Sequence, residues 1–141
     1  MISSTGGFYI SVIHLDIGAL TLPCPPLFGR LILLVEDEPL IALDVEGGLR
    51  AAGARVVPTA SVEFALYIAK RPQLSAAVVD LRLGKDDGVA VCRRLHRLGV
   101  PFVIYTGYPA AVIANEWADM PVIKKPARIN DIVTALARVA R

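Results

Sequence analysis

Short, mainly apolar runs alternate with amphipathic stretches along most of this chain, from Arg30 to the C-terminus. The first run, residues 31–35, reads Leu-Ile-Leu-Leu-Val, which has the length and composition of a buried strand. Similar runs predict further strands over residues 54–58, 75–79, 101–105 and 122–123.

Between these runs, apolar residues recur every three or four positions, which is typical of helices that bury one face. We predict helices over residues 38–52, 61–71, 87–98 and from 128 onward, and a short Ala-rich helix over 109–118. Ser61 is expected to cap the second helix. Gly47 and Gly48 should weaken the first helix by about 1 kcal/mol each relative to Ala.

Strands that alternate with helices of this length form parallel β-α-β units with right-handed crossovers. The pattern therefore predicts an α/β, flavodoxin-like fold. Its doubly wound, five-stranded parallel sheet should have the order 2-1-3-4-5 and five helices, the fourth of them short. The composition of the 141 residues, 55% hydrophobic and 20% charged, agrees with a buried parallel sheet.

Residues 1–29 differ from the rest of the chain. They contain no Lys or Arg, and Asp16 is their one acid. The stretch lacks the positive n-region of a signal peptide and is too interrupted to span a membrane. We interpret it as a loosely attached or disordered extension, with a partner-binding or membrane-adsorbing segment as the alternative, and predict one folded domain over residues 30–141.

The charge and cysteine content narrow the function further. A net charge of +2 with no basic block does not favour nucleic-acid binding. Two cysteines, Cys24 and Cys92, are too few for a disulfide framework and indicate a reducing, cytoplasmic setting. We expect no DNA-binding segment, because the chain stops at the end of the last predicted helix.

Polar residues gather where the predicted strands end, and ligands bind at this edge of doubly wound sheets. The residues are Glu36 and Asp37 after the first strand, Asp80 after the third, Thr106 after the fourth, and Lys124 and Lys125 after the fifth. Three neighbouring carboxylates ionise together only beside positive charge, and all-oxygen ligands favour Mg²⁺. One carboxylate could then attack a phosphoryl group, whose oxygens Mg²⁺ and a lysine would neutralise.

Four sequence blocks resemble the signature blocks of bacterial response-regulator receiver domains. They are residues 33–39 (Leu-Leu-Val-Glu-Asp-Glu-Pro), 78–83 (Val-Val-Asp-Leu-Arg-Leu), 105–108 (Tyr-Thr-Gly-Tyr) and 124–126 (Lys-Lys-Pro). The resemblance extends from Arg30 to the C-terminus. It implies a phosphoacceptor module of a two-component phosphorelay that assists its own phosphorylation and dephosphorylation and is otherwise not an enzyme.

The resemblance also implies a role for each site residue. Asp80 would accept the phosphoryl group from a histidine of a sensor kinase or phosphotransfer protein. Glu36 and Asp37 would form the acidic pair, with Asp37, Asp80 and the backbone carbonyl of Arg82 as direct Mg²⁺ ligands. Lys125 would pair with the phosphoryl group, Thr106 would be the switch hydroxyl that donates a hydrogen bond to it, and the Lys125-Pro126 bond would be cis.

Two departures from the receiver pattern concern the conformational switch. Val122 stands where typical receivers have an aromatic residue, and the stretch between Thr106 and Lys125 is short. In these respects the chain resembles the alphaproteobacterial FATGUY subgroup. This resemblance implies a switch in residues Thr106, Gly107 and Tyr108.

Two other functions remain open on this fold. A flavin- or nucleotide-binding protein would need a Gly/Ser/Thr-rich phosphate loop after the first strand, where this chain has three successive acids, residues 36–38. An aspartyl-nucleophile phosphatase would need a second acid two residues after the nucleophile, where this chain has Arg82. The downstream partner and the existence of a homodimer also stay open.

Overall fold

The computed structural model describes residues 2–5, 8–14, 21–108, 117 and 119–141. Three antiparallel strands come first in the chain and form a small sheet of their own: β1 (Ile2–Thr5), β2 (Phe8–His14) and β3 (Thr21–Cys24). These strands were not predicted from the sequence of residues 1–29. The β-branched and aromatic residues of β2 were the available signal.

The remaining elements follow the predicted alternation. They are β4 (Leu31–Val35), α1 (Pro39–Ala51), β5 (Arg55–Thr59), α2 (Val62–Ile68), β6 (Leu74–Val79), β7 (Arg82–Leu83), β8 (Asp86–Asp87), α3 (Val89–Arg97), β9 (Phe102–Thr106), β10 (Val122–Lys124) and α4 (Ile129–Val139). The helix predicted over 109–118 lies outside the described residues, apart from Trp117. No helix in the described ranges is long and apolar enough to cross a membrane.

Five strands form the main sheet in the order β10-β9-β6-β4-β5, and every neighbouring pair is parallel. Counted along the predicted strands, this order is 2-1-3-4-5, so the predicted fold class is confirmed. The short strands β7 and β8 form an antiparallel hairpin directly after β6, which the sequence analysis did not predict.

Helices cover both faces of the sheet because the strands carry apolar side chains on both sides. In β4, Leu33 faces the layer under α2 and α3, whereas Ile32 and Leu34 face the layer under α1 and α4. The predicted cap of α2 is confirmed, since Ser61 Oγ accepts a hydrogen bond of 3.2 Å from the Phe64 N–H.

The apolar layer under α1 and α4 also includes a residue from the segment before β4. Leu27 is fully buried there, and its N–H donates to the Ala52 carbonyl at 2.9 Å. A turn holds it in place, with the Phe28 N–H bonded to the Pro25 carbonyl and the Arg30 N–H bonded to the Leu27 carbonyl. The packed part of the molecule therefore begins before Arg30.

The two adjacent glycines of α1 have different surroundings. A Cβ built on Gly48 would collide with the side chain of Ile129 in α4, whereas a Cβ built on Gly47 would meet nothing within 4 Å. The crossing of α1 and α4 therefore requires glycine at position 48 only.

We expect opposite effects when each of these glycines is replaced by alanine. Gly47→Ala should raise the free energy of unfolding by about 0.5–1 kcal/mol, because alanine favours the helix. Gly48→Ala should lower it by about 1–3 kcal/mol, because the added methyl group overpacks the helix contact. Urea unfolding of the two variants measures both effects, and stabilisation by Gly48→Ala would contradict the close approach.

Strand β5 lies at one edge of the main sheet. The Arg55 N–H donates to the Arg30 carbonyl, and the Thr59 carbonyl accepts from the Glu36 N–H. The backbone groups of Arg55 and Thr59 therefore point toward β4. The backbone groups of Val56 and Pro58 face away from it. Proline has no N–H, and the Arg50 guanidinium already donates to the Val56 carbonyl at 3.1 Å.

Candidate active site

The carboxyl ends of the parallel strands bring the predicted site residues to one rim of the sheet. Backbone hydrogen bonds continue one residue beyond the strands, from the Asp80 N–H to the Val35 carbonyl at 2.9 Å and from the Lys125 N–H to the Thr106 carbonyl at 2.8 Å. These bonds order the backbone that carries the reactive side chains. Asp80 and Thr106 are buried, as is Glu36.

Lys125 joins two of the acids. Its Nζ donates to Glu36 Oε1 at 2.6 Å and to Asp80 Oδ2 at 2.9 Å, and it lies 3.9 Å from Glu38 Oε1. Lys124, the preceding residue, is exposed, as expected from the alternation of side chains along a strand. The structure therefore brings together Glu36, Asp80 and Lys125 as the sequence predicted.

Burial and the lysine act in opposite directions on the pKa of Glu36. Desolvation raises the pKa of Glu36 from 4.5 to about 7, although the hydrogen bond from Lys125 opposes the change. Burial alone would lower the pKa of Lys125, but its bonds to Glu36 and Asp80 outweigh burial and raise that pKa. A second positive charge would therefore favour ionisation of Glu36.

The residues at the rim fit a divalent cation. Glu36, Asp37 and Asp80 each offer a carboxylate oxygen, and these oxygens lie within 4.8 Å of one another. Glu36 Oε2 is buried without a hydrogen-bond partner in the described part of the chain. Lys125 supplies one positive charge, beside Glu36 and Asp80, for these three carboxylates. A cation would add further positive charge, and the hard, all-oxygen donor set suits Mg²⁺.

A cavity of about 380 Å³ opens beside these acids. It is lined by Asp37, Glu38, Asp80, Arg82 and Gly84. The Arg82 N–H donates to Asp80 Oδ1 at 3.1 Å, which ties the β7–β8 hairpin to the central acid. A Cβ built on Gly88 would collide with the backbone of Asp80, so glycine there permits the chain to pass close under the site.

The predicted switch residues lie on the other side of Asp80. Thr106 is fully buried, and its Oγ1 accepts a hydrogen bond of 3.2 Å from the Tyr108 N–H. Gly107 and Tyr108 are exposed, and so is Val122, on the edge strand β10. The hydroxyl of Thr106 is therefore linked directly to the backbone of Tyr108, while the assignment of the switch to these residues stays a prediction.

Tyr105 is a neighbour of the site that was not predicted from the sequence. The Lys125 Nζ lies 5.4 Å from the centre of its ring, and its hydroxyl accepts a hydrogen bond of 3.3 Å from the Ala127 N–H. A tyrosine within an apolar strand is typical of core packing and does not by itself indicate a site residue. The available signal for a role at the site was its position directly before Thr106. The Lys125-Pro126 peptide bond is cis, as the resemblance implied.

Comparison with known proteins decides the family. The family model described as the response regulator receiver domain matches residues 32–137. This chain belongs to that family. As a receiver domain, it has the expected fold, and its acids and lysine occupy the rim at which the four signature blocks meet.

Individual relatives agree with this assignment. The phyllosphere-induced regulator PhyR of Methylorubrum extorquens is 37% identical over 89 residues, which cover 60% of this chain and 33% of that protein. The receiver domain of a Pseudomonas aeruginosa sensor histidine kinase, with magnesium in its active-site cleft, is 29% identical at a TM-score of 0.67, covering 79% of this chain and 97% of that one. A Burkholderia pseudomallei response regulator with a phosphorylated aspartic acid is 27% identical at a TM-score of 0.68, covering 76% of this chain and 66% of that one.

This receiver domain spans about a third of the length of the first curated relatives that it matches. Family membership supports neither the flavin-binding nor the phosphatase alternative. The three acids at residues 36–38 occupy the position of a phosphate loop, and the Arg82 side chain is exposed at the position where the phosphatase would need an acid.

The raised pKa of Glu36 predicts how the stability of the metal-free receiver depends on pH. Between pH 4.5 and about 7, the folded state holds a proton on Glu36 that the unfolded chain has lost. The free energy of unfolding should therefore fall as the pH rises through this range, and Glu36→Gln should reduce the fall. Urea unfolding in EDTA at pH 5 and pH 8 measures this fall in the free energy of unfolding. The control is Glu63→Gln, in the exposed first turn of α2. Equal slopes for wild type and Glu36→Gln would contradict this prediction.

Proposed function

We propose that this receiver domain accepts a phosphoryl group on Asp80 from a histidine of a sensor kinase or phosphotransfer protein, and signals through protein-protein contacts. The observation that carries this proposal is the contact of Lys125 with both Asp80 and Glu36, at 2.9 and 2.6 Å, within a cluster of three carboxylates. This arrangement supports a nucleophilic carboxylate whose phosphorylated product has a cation beside it.

Transfer would begin with attack of an Asp80 carboxylate oxygen on phosphorus. The bond from phosphorus to the donor's imidazole nitrogen breaks, and the nitrogen keeps the electron pair. Lys125 already reaches Asp80 Oδ2, so its ammonium can follow the charge to the phosphoryl oxygens with a small movement. Glu36, Asp37, Asp80 and the Arg82 carbonyl would hold Mg²⁺, which supplies positive charge to the transferring oxygens.

Thr106 would couple the product to the rest of the domain. Its Oγ1 accepts from the Tyr108 N–H, so its own hydroxyl proton is available to the phosphoryl group. A movement of the hydroxyl would then act on Gly107 and Tyr108. The phosphoryl group can shift such an equilibrium only by its differential contacts, on the order of 1–3 kcal/mol.

The setting of this activity is part of the proposal. The free cysteines Cys24 and Cys92 suit the reducing cytoplasm. We assign the domain neither nucleic-acid nor membrane binding, and no catalytic turnover beyond its own phosphorylation and dephosphorylation. Residues 1–29 are proposed to be an extension to the receiver domain of residues 30–141, with Leu27 as its anchor. A homodimer is compatible with this function.

Intact mass spectrometry tests the proposal. Incubation of the full chain with Mg²⁺ and acetyl phosphate should add one phosphoryl group, and EDTA should prevent the addition. Borohydride reduction followed by peptide mapping should locate it at Asp80. Absence of any addition with acetyl phosphate, phosphoramidate and a phosphorylated histidine-containing phosphotransfer protein would reject the function.

A further inference from the structure

Tyr105 lies beneath the lysine of the site. It is the second-last residue of β9, and its side chain is buried in the apolar layer under α1 and α4. From there the centre of the ring lies 5.4 Å from the Lys125 ammonium, which also contacts Glu36 at 2.6 Å and Asp80 at 2.9 Å. The tyrosine hydroxyl also accepts a hydrogen bond from the Ala127 N–H, two residues after Lys125.

Lys125 requires such support because its side chain is long and flexible. Four methylene groups separate its backbone from its charge, and Glu36, Glu38 and Asp80 all attract that charge. When a phosphoryl group forms on Asp80, the ammonium has to leave part of this contact. An aromatic face attracts a cation without accepting a proton or competing as a hydrogen-bond partner, so it can hold the ammonium in both states.

We propose that Tyr105 is a positioning residue for phosphoryl transfer, because its ring holds the Lys125 ammonium at the height of the transferring oxygens. The hydrogen bond of its hydroxyl to the Ala127 N–H is not part of this role. This inference rests on the proposed function. Mg²⁺ binding is not part of the role, because the metal ligands are supplied by the acids and by the loop after β6.

Two variants separate the ring from the hydroxyl. Tyr105→Leu removes the aromatic face and should slow phosphorylation by acetyl phosphate on the order of tenfold. Tyr105→Phe keeps the face and should stay within about twofold of the wild-type rate. Mg²⁺ affinity, followed by NMR titration of backbone amides, should change less than about twofold in both variants.

A double-mutant cycle shows whether the effect passes through the lysine. In the Lys125→Ala background, Tyr105→Leu should cause no further loss of rate, because the ring then has no ammonium to hold. A purely structural role would instead give the same fold-loss in both backgrounds. Rates are compared per folded protein, with the folded fraction taken from thermal unfolding of each variant.

Rejection of the positioning role of Tyr105 can be distinguished from rejection of the proposed phosphorylation of Asp80. If wild type is phosphorylated and Tyr105→Leu reacts at the same rate, the positioning role is rejected and the function stands. Equal losses of rate and Mg²⁺ affinity would also reject it, because the acids would then be disturbed. If Tyr105→Leu does not fold, Tyr105→Phe decides alone, since a tenfold loss in that variant overturns the assignment to the ring. An unphosphorylated wild type would reject the function instead.

Discussion

Replacing Asp80 by asparagine should abolish phosphorylation. The amide has nearly the same shape as the carboxylate, but it lacks the negative charge and the nucleophilic oxygen that attack phosphorus. We expect the rate of labelling by acetyl phosphate to fall at least on the order of 10³-fold, to the level of the uncatalysed background. Intact mass spectrometry with Mg²⁺ measures this loss.

The control for this prediction is Asp44→Asn, which changes an exposed acid of α1 in the same chemical way. It should leave the labelling rate unchanged. The fold of Asp80→Asn should persist, because the amide oxygen can still accept one of the two hydrogen bonds that the carboxylate accepts, from the Arg82 N–H, while Lys125 keeps its contact with Glu36. Full labelling of Asp80→Asn would transfer the phosphoacceptor role to another acid, and mapping would then identify it.

The second large effect concerns stability, at Leu27. Its side chain is 0% exposed and packs in the layer under α1 and α4, although it precedes every strand of the main sheet. Leu27→Ala should lower the free energy of unfolding by about 2–5 kcal/mol, through lost burial and the cavity left behind. Chemical denaturation of the metal-free protein measures this change.

The neighbouring residue supplies a matched control. Phe28 is 61% exposed, so Phe28→Ala should change the free energy of unfolding by less than about 1 kcal/mol. Removal of residues 1–29 should cost at least as much stability as Leu27→Ala, whereas removal of residues 1–24 should spare the Leu27 contact. Equal stabilities of the two truncated proteins would show that Leu27 does not anchor the segment.

The elements that sequence predicted well share a strong local pattern. The apolar run of β4 predicts a buried strand, and Ser61 before an amphipathic stretch predicts a helix cap. In both cases the residue types favour one local structure over the others. Element ends moved by one to three residues, as at α2, where the last turn is not regular helix. The rim was predictable because the ends of parallel strands coincide, and this places Asp80 and Lys125 together without further information.

The features that escaped prediction depend on contacts between distant parts of the chain. Leu27 is one apolar residue in a proline-rich segment, and only its packing in the layer under α1 and α4 makes it a core residue. The two-residue strands β7 and β8 are too short to carry a periodic signal. Tyr105 contacts Lys125 because β10 pairs with β9 in a register that sets Ile123 beside Tyr105. The order of these strands was predictable, but the register was not.

Strand β5 has a consequence for how copies of this protein can meet. Its outward backbone has a proline at position 58 and a carbonyl at Val56 that Arg50 already occupies. A strand from a second molecule would find an interrupted row of hydrogen-bonding groups there, so open-ended stacking of sheets is discouraged at this border. We therefore expect concentrated protein not to join its sheets through β5 into fibres.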